Sequence, residues 1–232
     1  DVVAEIDAAI RARVPDIIVN MSTGVIGPDV SAPLACLSRI RPEMAALNAG
    51  SLNYLKARSD GRWAWPPMLF DNPVDKIEKF LAAMRAVGTV PECECFDTGI
   101  VRSIGLLKQV GLLTGPIHVS LVMGVASGMP CKPEWLPLIV AELPECAHFQ
   151  TIGIGQREVW PVHRRAAELG GHLRSGLEDT FYLPDGSKTD SNGKLIEALV
   201  QIAREVGRPI ATAAQAREIC GVLPVPHGPQ AP

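Results

Sequence analysis

Within the run GGHLRSGLEDT (170–180) stand an arginine and two carboxylates, Arg174, Glu178 and Asp179. A carboxylate beside a guanidinium can remove a proton while the cation absorbs the charge that develops. The same three groups can also form a structural ion pair, and spacing alone leaves both readings open. On a strand, His172, Arg174, Gly176 and Glu178 would share one face. Adjacent Glu178 and Asp179 both reach the rim only if the strand ends there, which the change to TFYLPDGS (180–187) permits. Charges in a sheet interior are costly to bury unpaired, so the run is a site candidate.

Three further runs could contribute. NMSTGV (20–25) puts Ser22 and Thr23 at a strand end before a glycine, where hydroxyls and backbone N–H groups can hold a carboxylate. LNAGSLN (47–53) offers Asn48 and Ser51 at the next strand end. Each also reads as a plain strand-terminating turn. PECECFD (91–97) sets Glu92 and Glu94 on one strand face and Asp97 on the other; glutamates within a buried strand are harder to dismiss. His118 and His172 fall on strands, His148 at a strand edge, His163 on a helix and His227 in the tail. No two are spaced to chelate one metal, and zinc normally takes about three protein ligands. Cys93 and Cys95 share a strand face. All six cysteines read as reduced, packed as small apolar groups.

These residues need elements to position them. Strand-like runs at 16–24, 43–53, 89–99, 116–125, 148–155 and 171–179 alternate with helical patterns. Asn72 and Pro73 open one helix whose stripe is Val74, Ile77, Leu81 and Met84, with Gly88 as its stop. The run 191–207 repeats that logic through Leu195, Leu199, Ile202 and Val206, and Thr212 with Gln215 has capping-box spacing. Strand–helix alternation with polar or small residues at every strand end predicts a (β/α)8 barrel with its chemistry at the C-terminal rim. A doubly wound sheet is the rival, but no G-x-G-x-x-G follows the first strand. A barrel needs about eight βα units. About six are visible, and the chain opens on a helical pattern (Val2, Ile6, Ile10, Val14), so the first two strands are expected to be missing. The expected domain is 1–221, with 222–232 a tail. The long segment 56–72, with Trp63 and Trp65, reads either as a lid or intersubunit arm or as a surface loop packed on its own scaffold.

Composition excludes other classes. The chain has 232 residues, 47% hydrophobic and 20% charged, with net charge −3 and scattered basic residues. That leaves no electrostatic footprint for nucleic acid or an anionic membrane. No apolar run reaches about 18 residues. The expectation is a soluble, cytoplasmic protein.

NMSTGV, RPEMAALNAGSLN, VPECECFDTG, HVSLVMGVASGM, TIGIG and GGHLRSGLED, in this order, resemble the β-keto acid cleavage enzymes, a group that includes 3-keto-5-aminohexanoate cleavage enzyme. The resemblance covers about residues 1–221. It implies a zinc-dependent (β/α)8 barrel, a homotetramer, and condensation of a β-keto acid with acetyl-CoA to give acetoacetate and a CoA thioester. It also implies roles: Glu178 as the carboxylate zinc ligand, Asp179 as base with Arg174 stabilising charge, and Ser22 with its loop, including Val25, at the substrate carboxylate. Ser51 stands where a threonine is common, and Glu94 corresponds to an acidic pocket residue, with Glu92 its competitor. Two departures stand out. Val25 replaces the last glycine of an S-T-G-G pattern, and the family's H-x-H zinc ligands are absent, so they are expected upstream. The alternative is a truncated, non-catalytic homologue that binds a ligand or partner; another barrel lyase with a different metal arrangement is a third reading.

Overall fold

The computed structural model of the protein describes residues 2–222. His227 and most of the expected tail lie outside the described residues. Six strands form one parallel sheet in the order β1 (Asn20–Met21), β2 (Met44–Asn48), β5 (Val90–Cys95), β6 (His118–Met123), β7 (His148–Gly153) and β8 (His172–Arg174). Between β2 and β5 a hairpin departs from the sheet, β3 (Leu52–Tyr54) pairing antiparallel with β4 (Met68–Phe70). The helices are α1 (Val2–Arg13), α2 (Ser31–Ile40), α3 (Val74–Val87), α4 (Thr98–Gln109), α5 (Leu136–Ala141), α6 (Val159–Glu168), α7 (Asn192–Glu205) and α8 (Ala213–Cys220). None is long and apolar enough to cross a membrane.

The sheet's two faces differ in chemistry. Strand alternation sends Ala45, Leu47, Cys93, Cys95, Val119, Leu121, Met123 and Phe149 into the apolar core with the helices. The opposite face carries Glu92, Glu94, His118, Ser120, His148, Gln150, His172 and Arg174. That face is concave. Arg174 on β8 reaches Glu94 on β5, three strands away in the order, at 3.7 Å. In a flat sheet those strands would stand about 14 Å apart at 4.8 Å per step. The curl is that of a TIM-barrel-like fold. Among the described residues β1 pairs only with β2, and β8 only with β7.

Local signals explain the helices. Gly88 ends α3 in the left-handed region at φ 75°, and Thr212 with Gln215 closes a capping box on α8. Ile77, Leu81 and Met84 are buried as the spacing predicts, joined by Phe80, whereas Val74 is 56% exposed. Two expectations are corrected. Asn72 does not cap α3: its side chain donates to Gly50 O and its backbone N–H to Ser51 Oγ. The strand expected over 43–53 ends at Asn48, and Leu52–Tyr54 pairs instead in the hairpin, where Tyr54 stacks on Trp65 at 5.3 Å.

Candidate active site

The C-terminal ends of β5 and β8 bring together the candidate site. β5 reads VPECEC, so its glutamates project into the concave face while its cysteines pack under the helices. Glu92 lies deeper: Oε2 accepts from Asn20 Nδ2 at 2.6 Å and Oε1 from Ser120 Oγ at 2.7 Å, and Ser120 in turn accepts from Gln150. Glu94, one step nearer the rim, faces Arg174. Glu178 is not on the strand, contrary to the expected run 171–179, because β8 stops at Arg174. A turn follows, with Asp179 and Thr180 N–H donating to Gly176 O. Asn192, at the start of α7, accepts from Leu177 N–H at 2.9 Å and ties that turn to the helix. The turn swings both carboxylates back over Arg174.

Arg174 therefore stands among three carboxylates. Nη1 lies 3.7 Å from Glu94, Nη2 3.3 Å from Glu178 and Nε 3.6 Å from Asp179. Their side chains are 17%, 83% and 4% exposed, so Glu178 is a surface group while Asp179 is enclosed. One cation cannot balance this much negative charge in a partly buried space. Burial, and after it the charge of Glu92, pushes the Glu94 carboxyl up to about 7 against the pull of Arg174. Burial likewise lifts Asp179 to about 6, with Arg174 opposing and Glu178 adding. Two carboxyls that exchange protons near neutrality can serve as acid and base.

The other expected residues gather at neighbouring strand ends. Ser22 is exposed just past β1, while Thr23 is buried and donates to Ala46 O at 2.5 Å, a structural bond. The Val25 carbonyl accepts from Lys76 Nζ. Ser51 is exposed, with its oxygen already accepting the Asn72 N–H, which leaves its proton to donate. Asp97, unassigned by sequence beyond its strand face, accepts from Ile100 N–H and caps α4. Lys76 and the Asn20–Glu92–Ser120–Gln150 chain were missed. A lysine beside Ile77 on α3's apolar stripe is the signal that would have found the first; the second depends on pairing between strands.

A zinc ion finds an incomplete donor set here. Glu178 offers one exposed carboxylate, and no group of three His, Cys, Asp or Glu side chains among the described residues is placed to hold a metal.

A curled parallel sheet with ionisable groups at its C-terminal rim defines a TIM-barrel-like enzyme class. The comparisons narrow this. The family model for the beta-keto acid cleavage enzyme matches residues 1–222, and the chain belongs to that family of carbon–carbon bond-cleaving acyltransferases. Over 215 residues it is 34% identical to the 3-keto-5-aminohexanoate cleavage enzyme of Acetoanaerobium sticklandii, covering 92% of this chain and 74% of the relative. Over 222 residues it is 35% identical to the 3-oxoadipate:acetyl-CoA acetyltransferase of Cupriavidus necator, covering 94% and 74%. A solved structure described as the apo structure of ObcA shares the fold, with TM-score 0.69, 22% identity, and coverage of 96% of this chain but 55% of that one.

Proposed function

We propose that the chain condenses a β-keto acid with acetyl-CoA, releasing acetoacetate and a new CoA thioester. The atom balance defines the work. R–CO–CH2–COO⁻ and CH3–CO–SCoA become R–CO–SCoA and CH3–CO–CH2–COO⁻. A proton leaves C2 of the keto acid, C2 bonds to the acetyl carbon, and the CoA thiolate departs. The thiolate then attacks the original keto carbon, the C2–C3 bond breaks, and the proton returns to C2 of acetoacetate.

Asp179 is the base. It is enclosed, and its carboxyl at about 6 is ionised at neutral pH yet more basic than an ordinary aspartate. Arg174 balances the enolate charge, and Glu94, at about 7, can present a proton to a substrate oxygen. Ser22, the backbone at Val25 and Ser51 hold the substrate carboxylate away from the base. Glu178 would be the carboxylate ligand of a zinc ion completed by further ligands, and none of the other assignments depends on it.

The single observation that carries the reading is the Arg174 guanidinium within 4 Å of Glu94, Glu178 and Asp179 at the sheet's C-terminal rim, in a chain of this family. A homotetramer belongs to the same reading, supported by the exposed Trp63, Met68 and Leu69 on the hairpin; a one-chain mass in sedimentation would remove that part. The test of the reaction is a panel of β-keto acids incubated with acetyl-CoA, followed by acetoacetate release. Acetoacetate formed by wild type and lost in Asp179→Asn supports it; none formed with any substrate sinks it.

A further inference from the structure

Lys76 sits in the first turn of α3 and is 5% exposed. All three of its protons are directed at backbone carbonyls: Val25 O at 2.9 Å, Gly27 O at 3.1 Å and Asp71 O at 2.8 Å. Among the described residues no carboxylate lies within ion-pair distance of it. The carboxylate of Asp71 is turned elsewhere, accepting Gly27 N–H at 3.1 Å. A buried ammonium without a counter-charge is costly, and a merely structural staple for three carbonyls does not require a cation.

The location suggests what the charge does. Val25 and Gly27 belong to the loop that follows β1 at the C-terminal rim. A trans peptide points its C=O and N–H in opposite directions. Drawing the Val25 carbonyl onto Lys76 therefore turns the Ile26 N–H to the other side of the loop. Lys76 fixes the carbonyls and the Asp71 carboxylate fixes the Gly27 amide, while the ammonium beneath them has no ion-pair partner among the described residues.

We propose that Lys76 is a positioning residue for anion recognition, holding the 22–27 loop with the Ile26 N–H outward and supplying the positive charge that favours a bound carboxylate. The inference rests on the reading that this loop receives the carboxylate of the β-keto acid. Lys76 acts through the loop.

The experiment compares wild type, Lys76→Met and Lys76→Arg. The expected result for Lys76→Met is a KM for the β-keto acid raised about 10- to 100-fold, with KM for acetyl-CoA within about twofold. Lys76→Arg, which keeps the charge, should recover most of the loss. Equal rises in both KM values, or none in either, would overturn the proposal. A purely structural lysine would lower folded protein and apparent kcat without splitting the two KM values. Should Lys76→Met fail to fold, the wild type labelled at lysine Nζ is titrated with acetoacetate: a shifted Lys76 resonance is expected, and an unmoved one overturns the idea. Acetoacetate binding also separates this inference from the reaction itself. A wild type that binds acetoacetate through Lys76 but turns nothing over keeps the loop and loses the chemistry. A wild type that turns over while Lys76→Met binds normally does the reverse.

Discussion

Arg174 Nη1 stands 3.7 Å from Glu94 Oε1, although the two residues lie on strands three positions apart in the sheet order. Only a curled sheet brings them together. The consequence is electrostatic: Glu94 gains a cation but loses water and lies near Glu92, and the losses win.

Asp179→Asn should lower kcat at least about 100-fold while KM for the keto acid changes little. The amide keeps the shape and removes the base. Steady-state acetoacetate formation checks this; a kcat within about tenfold of wild type would remove Asp179 from the role.

Glu94→Gln should stabilise the protein at high pH and not at low pH. The folded carboxyl, at about 7, lies above its unfolded value, so the unfolded state loses its proton first. Wild-type stability from this group is complete below about pH 4 and declines as pH rises through about 7. Urea unfolding at pH 4 and pH 8.5 tests it. The expected gain at pH 8.5 is on the order of 2 kcal/mol, with none at pH 4.

Glu43 should behave in the opposite sense. It lies just before β2, with its side chain 1% exposed, and is held by Arg11 of α1 at 2.9 Å and Arg217 of α8 at 3.0 Å. Burial pushes its carboxyl up, but hydrogen bonds from Arg11, its own backbone, Arg217 and Val19 together bring it down to about 2. Its contribution is present above about pH 4.5 and lost as pH falls through about 2. Glu43→Gln leaves Arg217 without its carboxylate partner and Arg11 with Asp7 alone, and should cost about 3 kcal/mol at pH 7, read by urea unfolding.

Gly124→Ala should destabilise by at least about 2 kcal/mol. Gly124 ends β6 at φ 96°, and a Cβ there would stand 2.0 Å from the Ile154 carbonyl oxygen, which is backbone and cannot rotate away. Thermal unfolding of the variant measures the loss; a melting temperature equal to wild type would show that the rim relaxes.

Much of this molecule is legible in local sequence. Strand–helix alternation announced the parallel sheet. The ECEC repeat of β5 set glutamates on one face and cysteines on the other, since side chains alternate whatever lies around them. Gly88 and the Thr212–Gln215 box marked helix ends, because caps depend on residues a few positions apart. Less legible was the end of β8. Gly176 and the distant Asn192 turn the chain at a point that periodicity alone extended by several residues.

The order of strand-end motifs, the family and the identity of Arg174, Glu178 and Asp179 as neighbours follow from the sequence itself. Tertiary structure alone decided which glutamate faces Arg174, that Glu43 joins α1 to α8, and that Lys76 grips the loop after β1. Each of those contacts spans dozens of residues or more. Its existence depends on sheet curvature and on which helix lies over which strand end, and no local spacing carries that information.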